Sequence, residues 1–203
     1  MKEEIIECKE DGTIIGPIDK LYAHSKEIRP IKTHYSTWAM IYNPVLKKYG
    51  LQLKRIKSYD GFKDSKWDMG VAGHNCYIEK EGKKIPLLFD ENLVKETDEE
   101  IGLDVKMHSS LNEFLEASKN LKGTIGYIFE EFHYKDSRNS EWVGGGFILT
   151  TETELNFKDE EVLEFRWMSP SELKKYLKDE KNYYAAFPVI FEKAEKFRLE
   201  YLK

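Results

Sequence analysis

Apolar positions fall along this chain in short alternating runs, interrupted by stretches at helical spacing, and the two periods separate strands from helices. Residues 3–15 alternate as far as Cys8, turn at Glu10-Asp11-Gly12 and resume at Thr13-Ile14-Ile15, which predicts a hairpin. A short helix is expected over 17–24, with Pro17 near its start. His34 to Tyr42 is aromatic and β-branched and reads as a core strand stopped by Asn43-Pro44. Leu51 to Ile56 alternates as a half-buried strand after a Tyr49-Gly50 turn, and 57–66 reads as a polar loop. Trp67 to Glu79 reads as extended. Leu93, Val94, Thr97 and Ile101 then fall at helical spacing, and Gly102 supplies a left-handed stop. A second helix is expected from Ser110 to Asn120, with Leu111, Phe114 and Leu115 on its inner face. Two long strands follow, Thr124–Tyr134 and Trp142–Thr151, joined by the polar run Lys135 to Ser140, and Glu161 to Met168 makes another. Ser169-Pro170-Ser171-Glu172 carries the signals that open a helix, and an amphipathic helix covers Pro188 to Leu202.

No linker, repeat or low-complexity stretch divides the chain, so residues 1–203 are expected to form one domain of α/β class, with strands and helices in sandwich-like layers. At 203 residues, 40% apolar and 34% charged, the composition is that of an ordinary globular protein with a proper core. The net charge of −5 argues against a nucleic-acid backbone as partner, while the dispersed lysines leave room for a local phosphate pocket. Cys8 and Cys76 have no zinc-type spacing and suit a reducing compartment. The first residues lack the apolar run of a signal peptide, and no stretch approaches the length of a membrane helix. A cytoplasmic protein with no membrane partner is expected.

Candidate chemistry concentrates between Lys95 and Leu103. On a helix Glu96, Glu99 and Glu100 share one face, about a third of a turn from the apolar stripe, and so are expected to cluster without pointing at the core. Like charges at these spacings cost roughly 0.2–0.5 kcal/mol per pair. An oxygen-loving divalent cation such as Mg²⁺ compensates that cost. The alternative is a solvated acidic face.

The complete pattern Lys95-Glu96-Thr97-Asp98-Glu99-Glu100-Ile101-Gly102-Leu103 resembles the second half of the Nudix box, with Lys95 at the usual Arg position and Thr97 at a usually apolar one. The first half departs from the box, since Leu87 and Glu81 stand where its Glu and Gly are expected. Gly73 to Glu79 looks like the usual glycine lead-in, with Lys80 to Lys84 inserted before the helix. Glu161 to Ser169 is similar to the Glu- and Arg-Trp-containing strand that closes a Nudix fold before a helix. The resemblance implies a Nudix-type α/β/α sandwich with a mixed sheet and a hydrolase of diphosphates linked to another group. It implies Glu96, Glu99 and Glu100 as ligands of Mg²⁺ (Mn²⁺ being the alternative), Glu99, Glu100 and Lys95 as catalytic residues, and Glu79 as support for the metal shell.

Within that family the chain looks most like the branch containing isopentenyl diphosphate isomerase and its hydrolase-like relatives. The likeness rests on Asp11 to Gly16, Thr33 to Trp38, Trp67 to His74 and Ala186-Phe187-Pro188. It implies a second metal site from His34, His74 and Glu141, with His24 less securely placed, of a kind suited to Mn²⁺, Zn²⁺ or Fe²⁺. The alternative is that these residues are polar lining of an open cleft. His108 and His133 match nothing in the pattern. Two departures weigh against isomerisation: Ala72 stands where the isomerase carries its proton-donating Cys, and Val189 where it carries a Trp. The expected partner is a small-molecule diphosphate. Isomerisation and a non-catalytic Nudix-like binding module remain open as alternatives, as does a homodimer.

Overall fold

The computed structural model describes residues 3–56, 63–158, 160–179 and 182–202. Most of the expected polar loop, 57–62, lies outside the described residues. The chain opens with the expected hairpin, β1 (Glu4–Cys8) and β2 (Ile14–Asp19), around Gly12 at φ 81°. The helix expected over 17–24 starts three residues late, because 17–19 belong to β2. Pro17 pairs opposite Ile6 within β2, and only Lys20–Ala23 form a helix, α1, capped by the Asp19 carboxylate. A strand at the sheet periphery tolerates the missing donor of a proline.

β3 (Thr33–Asn43) is buried along its whole length. It turns through Pro44–Lys47 into β4 (Lys48–Lys54), so Tyr49-Gly50 belongs to the strand and is not the turn expected there. The turn is made instead by the Asn43 side chain, which accepts from the N–H groups of Val45 and Leu46, with Lys47 left-handed at φ 54°. Short strands β5 (Lys66–Asp68) and β6 (Val71–His74) follow. The insertion before the box is a small hairpin, β7 (Tyr77–Lys80) and β8 (Lys83–Pro86). After the box helix α2 (Phe89–Ile101) come β9 (Val105–Met107), which the periodicity does not reveal, and α3 (Leu111–Lys119). The long pair β10 (Thr124–Lys135) and β11 (Ser140–Thr150), then β12 (Val162–Met168), α4 (Pro170–Asp179) and α5 (Ala186–Tyr201), lie within a few residues of expectation.

One mixed sheet runs β12-β4-β3-β11-β10-β9, parallel at β3–β11 and β10–β9, with β6 antiparallel on the first half of β3. Helix α2 covers one face: Leu93 and Ile101 are fully buried with Ala39, Ile41, Val71 and Ile148. Burial of each such side chain is worth about 1.5–3 kcal/mol. The opposite face carries the larger core, where Phe114 of α3, Leu173 of α4 and Phe187, Ile190 and Phe191 of α5 meet Met40, Tyr49 and Phe147. This is the α/β/α layering expected. No helix among the described residues is long and apolar enough to cross a membrane.

Candidate active site

Alternation along β3 sends His34, Ser36 and Trp38 to the face opposite α2. The parallel register sets Glu141 beside His34, and the antiparallel register sets His74 beside Ser36, so all of these side chains meet on one face. The loop at the end of α1 adds His24. The ring centroids of His34 and His74 are 4.8 Å apart, with His24 at 4.4 Å from His74 and 5.5 Å from His34. Each of the three rings has a nitrogen within 4.8 Å of those of the other two.

Glu141 is buried at the centre of this cluster. Its Oε2 accepts from Trp38 Nε1 at 2.9 Å and from Ser36 Oγ, and its Oε1 accepts from Asn139 Nδ2. The same Oε1 lies 3.7 Å from both His34 Nε2 and His74 Nε2. Burial by itself raises the Glu141 carboxyl, but the His34 and His74 rings beside it reverse this and hold it well below the usual carboxylate range. Desolvation pushes His74 down to about 3 and His24 further still, so both rings are neutral near pH 7. His34 Nδ1 can only donate to the Lys32 carbonyl it faces at 3.2 Å, which turns its buried Nε2 toward the cluster. That nitrogen has no hydrogen-bond partner and stands 3.7 Å from the Glu141 carboxylate. Imidazole nitrogens gathered around a carboxylate form a donor set that fits a divalent cation.

The box helix reaches the same cleft from the other side of β6. Gly73 permits it, because a Cβ there would lie 2.1 Å from Glu96 Cδ. Asn92 fastens the helix to the sheet by donating to Thr37 Oγ1 at 3.2 Å and to the Gly73 carbonyl at 3.3 Å. Thr97 is fully buried, and its hydroxyl is satisfied by the Leu93 carbonyl at 2.6 Å, which is how a polar residue occupies an apolar position. Gly102 closes the helix at φ 71°, its N–H donating to the Asp98 carbonyl. Lys95 bridges Glu96 at 3.0 Å and Glu99 at 2.6 Å. Desolvation would lower Lys95, but Glu96 and Glu99 lift it above its ordinary value.

Glu100 behaves differently from the expectation that all three glutamates avoid the core. It is 1% exposed, because it lies seven residues after Leu93 and so returns to nearly the same side of the helix. Its Oε1 accepts from Lys54 Nζ at 2.5 Å, and its Oε2 from Gln52 Nε2 at 3.0 Å and the Ala72 N–H at 3.2 Å. Burial raises the Glu100 carboxyl to about 7, with Lys54 and Gln52 opposing. Sequence reading missed Lys54 and Gln52; the available signal was two polar residues at i, i+2 on a strand buried on both faces.

A cleft of about 330 Å³ joins the two clusters, with Lys95, Glu96 and Glu99 at one end and His24, His74 and Glu141 at the other. Lys20 and Arg29 bring positive charge to it, and Trp38, Met69 and Ala186 supply apolar wall. Ala186 arrives because the chain before α5 pairs with β5 through the Trp67 N–H and carbonyl. Glu79 is exposed on the β7–β8 hairpin and does not line the cleft, so it does not support the box as expected. Cys76 is buried against Ile5 of β1 and also lies outside the cleft lining. His133 bonds Ser140 Oγ, and His108 packs edge-on against Phe114.

No protein-family model and no curated protein matches the chain. Solved structures do. The structure of DR0079 from Deinococcus radiodurans aligns over 95% of this chain and 99% of its own, with a TM-score of 0.61 and 11% identity. A NUDIX hydrolase from Nitrosomonas europaea aligns over 84% of this chain and 91% of its own, with a TM-score of 0.54 and 13% identity. With its mixed sheet, the box helix on one face and the remaining long helices on the other, this chain has the Nudix fold.

Proposed function

We propose that this protein is a metal-dependent hydrolase of a diphosphate linked to another group, with water attacking phosphorus. The observation that carries the reading is that Glu96 and Glu99 open into the same cleft as the His-Glu141 cluster and the cations Lys20 and Arg29. Glu96 and Glu99 offer hard carboxylate oxygens suited to Mg²⁺, with Mn²⁺ as the alternative. A divalent ion supplies charge neutralisation on diphosphate oxygens and acidifies a bound water. Lys95, bonded to both carboxylates, keeps them turned toward each other and limits their repulsion. It does so with a single ammonium, less rigidly than the planar fork of an arginine. Lys20 and Arg29 attract the phosphate oxygens, while Trp38 and Met69 exclude water beside them. His24, His34, His74 and Glu141 form a second cation position, whose nitrogen donors favour Mn²⁺, Zn²⁺ or Fe²⁺.

Isomerisation of an allylic diphosphate is disfavoured by Ala72, which lines the cleft with a methyl group where a proton donor is needed. The test is ³¹P NMR of a panel of linked diphosphates with Mg²⁺ or Mn²⁺. Cleavage that disappears on chelation is expected. Glu99→Gln, at a half-exposed position, should cut it by roughly a hundredfold or more, the scale set by removing a charge-stabilising group, with the fold retained. Saturable binding of a diphosphate without cleavage under either metal overturns the hydrolase in favour of a binding module.

A further inference from the structure

We propose that the ammonium of Lys54, not a divalent ion, is the resident cation at Glu100, which makes Glu100 a positioning residue and not a metal ligand. The inference deepens the hydrolase reading by dividing the box glutamates into two kinds, and its test is a count of bound ions that does not depend on turnover.

The Glu100 carboxylate sits in a closed set of donors. Lys54 Nζ is 2.5 Å from Oε1, and Gln52 Nε2 and the Ala72 N–H hold Oε2 at 3.0 and 3.2 Å. Lys54 Nζ also donates to the Ala72 carbonyl at 2.6 Å. A carboxylate oxygen and a backbone carbonyl converging on one point are the donors a hard divalent cation uses. Here that point is filled by the chain's own ammonium. The side chains of Lys54 and Glu100 are 13% and 1% exposed, so an incoming ion would have to expel a buried cation from its contact with Glu100. Breaking a buried pair by removing one partner costs heavily, because the remaining charge is left without compensation.

Lys95 shows the contrast. Its side chain is 36% exposed and its partner Glu99 47%, so it can exchange its contacts for water when a cation arrives. Glu99 is therefore open to an ion and Glu96, though only 14% exposed, lines the same cleft beside it, whereas the inner glutamate is already neutralised. Because Gln52 and Lys54 belong to β4 and Ala72 to β6, the same contacts tie the end of α2 to two strands, and the glutamate face is set before any metal binds.

Mn²⁺ titration of the full chain, with free Mn²⁺ followed by EPR, tests this. Glu100→Gln should bind as many ions as the parent. Lys54→Met, which keeps the stem volume and removes the charge, should bind one ion more, and its melting temperature should rise with Mn²⁺ further than the parent's does. Lys54→Arg should keep the parent's count. The double variant Lys54→Met/Glu100→Gln leaves no uncompensated charge, so it should melt higher than the less stable single variant and also keep the parent's count. Loss of one ion in Glu100→Gln, or in the double variant if the single does not fold, overturns the proposal. An unchanged count in Lys54→Met overturns it as well. Loss of an ion in Glu99→Gln is a separate result that belongs to the hydrolase reading, so the two can fail independently.

Discussion

Gly73 is a point where the box helix lies close against the sheet, and it couples packing to the acidic face through a single missing methyl group. The atoms that a Cβ would meet are the carboxyl carbon of Glu96 at 2.1 Å and its Oε2 at 2.4 Å, which form the far end of a flexible side chain. Gly73→Ala should therefore displace Glu96 without unfolding the protein. The expected outcome is a melting temperature within a few degrees of the parent, together with weaker Mn²⁺ binding at the box, read by melting and titration on the same sample. A large fall in melting temperature with unchanged Mn²⁺ affinity would mean that the strand moves and Glu96 does not. Glu100 shows the same dependence on position. Its charge is identical to that of Glu96 and Glu99, which share the Lys95 ammonium, yet its burial gives it the Lys54 ammonium together with amide donors from Gln52 and Ala72.

At the scale of elements, α5 carries a polar network on the face it turns to the core. Glu195 accepts from Tyr49 Oη at 2.9 Å, from Arg198 Nε at 2.9 Å and from Arg198 Nη2 at 3.2 Å, and Arg198 lies over the Tyr42 ring. Burial raises the Glu195 carboxyl, but Arg198 and Tyr49 outweigh this and lower it below its ordinary value. With the folded pKa depressed, the unfolded chain binds the extra proton first as the pH falls. The stabilisation is therefore complete above the ordinary carboxylate pKa of about 4.3 and is lost as the pH drops through and below it. Melting temperatures of the parent and Glu195→Gln should converge between about pH 5 and 3, with the parent higher above that window. A constant difference across the window would show that the network is not electrostatic in origin.

At the scale of the whole molecule, the decisive arrangement is a single cleft reached by strands far apart in sequence. β6 brings His74 and β11 brings Glu141 to its lining, with His34 of β3 buried beside them, while α2 brings Glu96 and Glu99 over the edge at Gly73. Chemistry at phosphorus needs those groups only, whereas moving a double bond needs a proton donor over carbon in a water-poor pocket. Ala72 has no proton to give, and the Cys76 thiol lies outside the cleft lining and is pushed up by burial. Incubation with isopentenyl diphosphate in heavy water should thus leave the prenyl carbons free of deuterium by mass spectrometry. Uptake at a catalytic rate would identify an acid elsewhere in the cleft and replace the hydrolase reading.

Local patterning determined much of this. The alternation of β3, the helical spacing of Leu93 and Ile101, the left-handed stop at Gly102 and the Ser169-Pro170 helix start all depend on neighbours within a turn or a strand, and each appears where the sequence placed it. The box glutamates were legible for the same reason, since their spacing is a property of one helix. Tertiary structure decided which of those glutamates meets solvent and which meets Lys54, because that depends on how α2 lies across β4 and β6. It decided the strand through Pro17 and Gly50, where pairing partners outweigh the local preference for a turn or helix start. It alone brought His24 against His74, since the short α1 and the loop after it set that approach and no periodicity encodes it. Short-range geometry is written in the order of residue types. The meeting of distant side chains follows from sheet register and layer packing, which are settled only when the whole chain is folded.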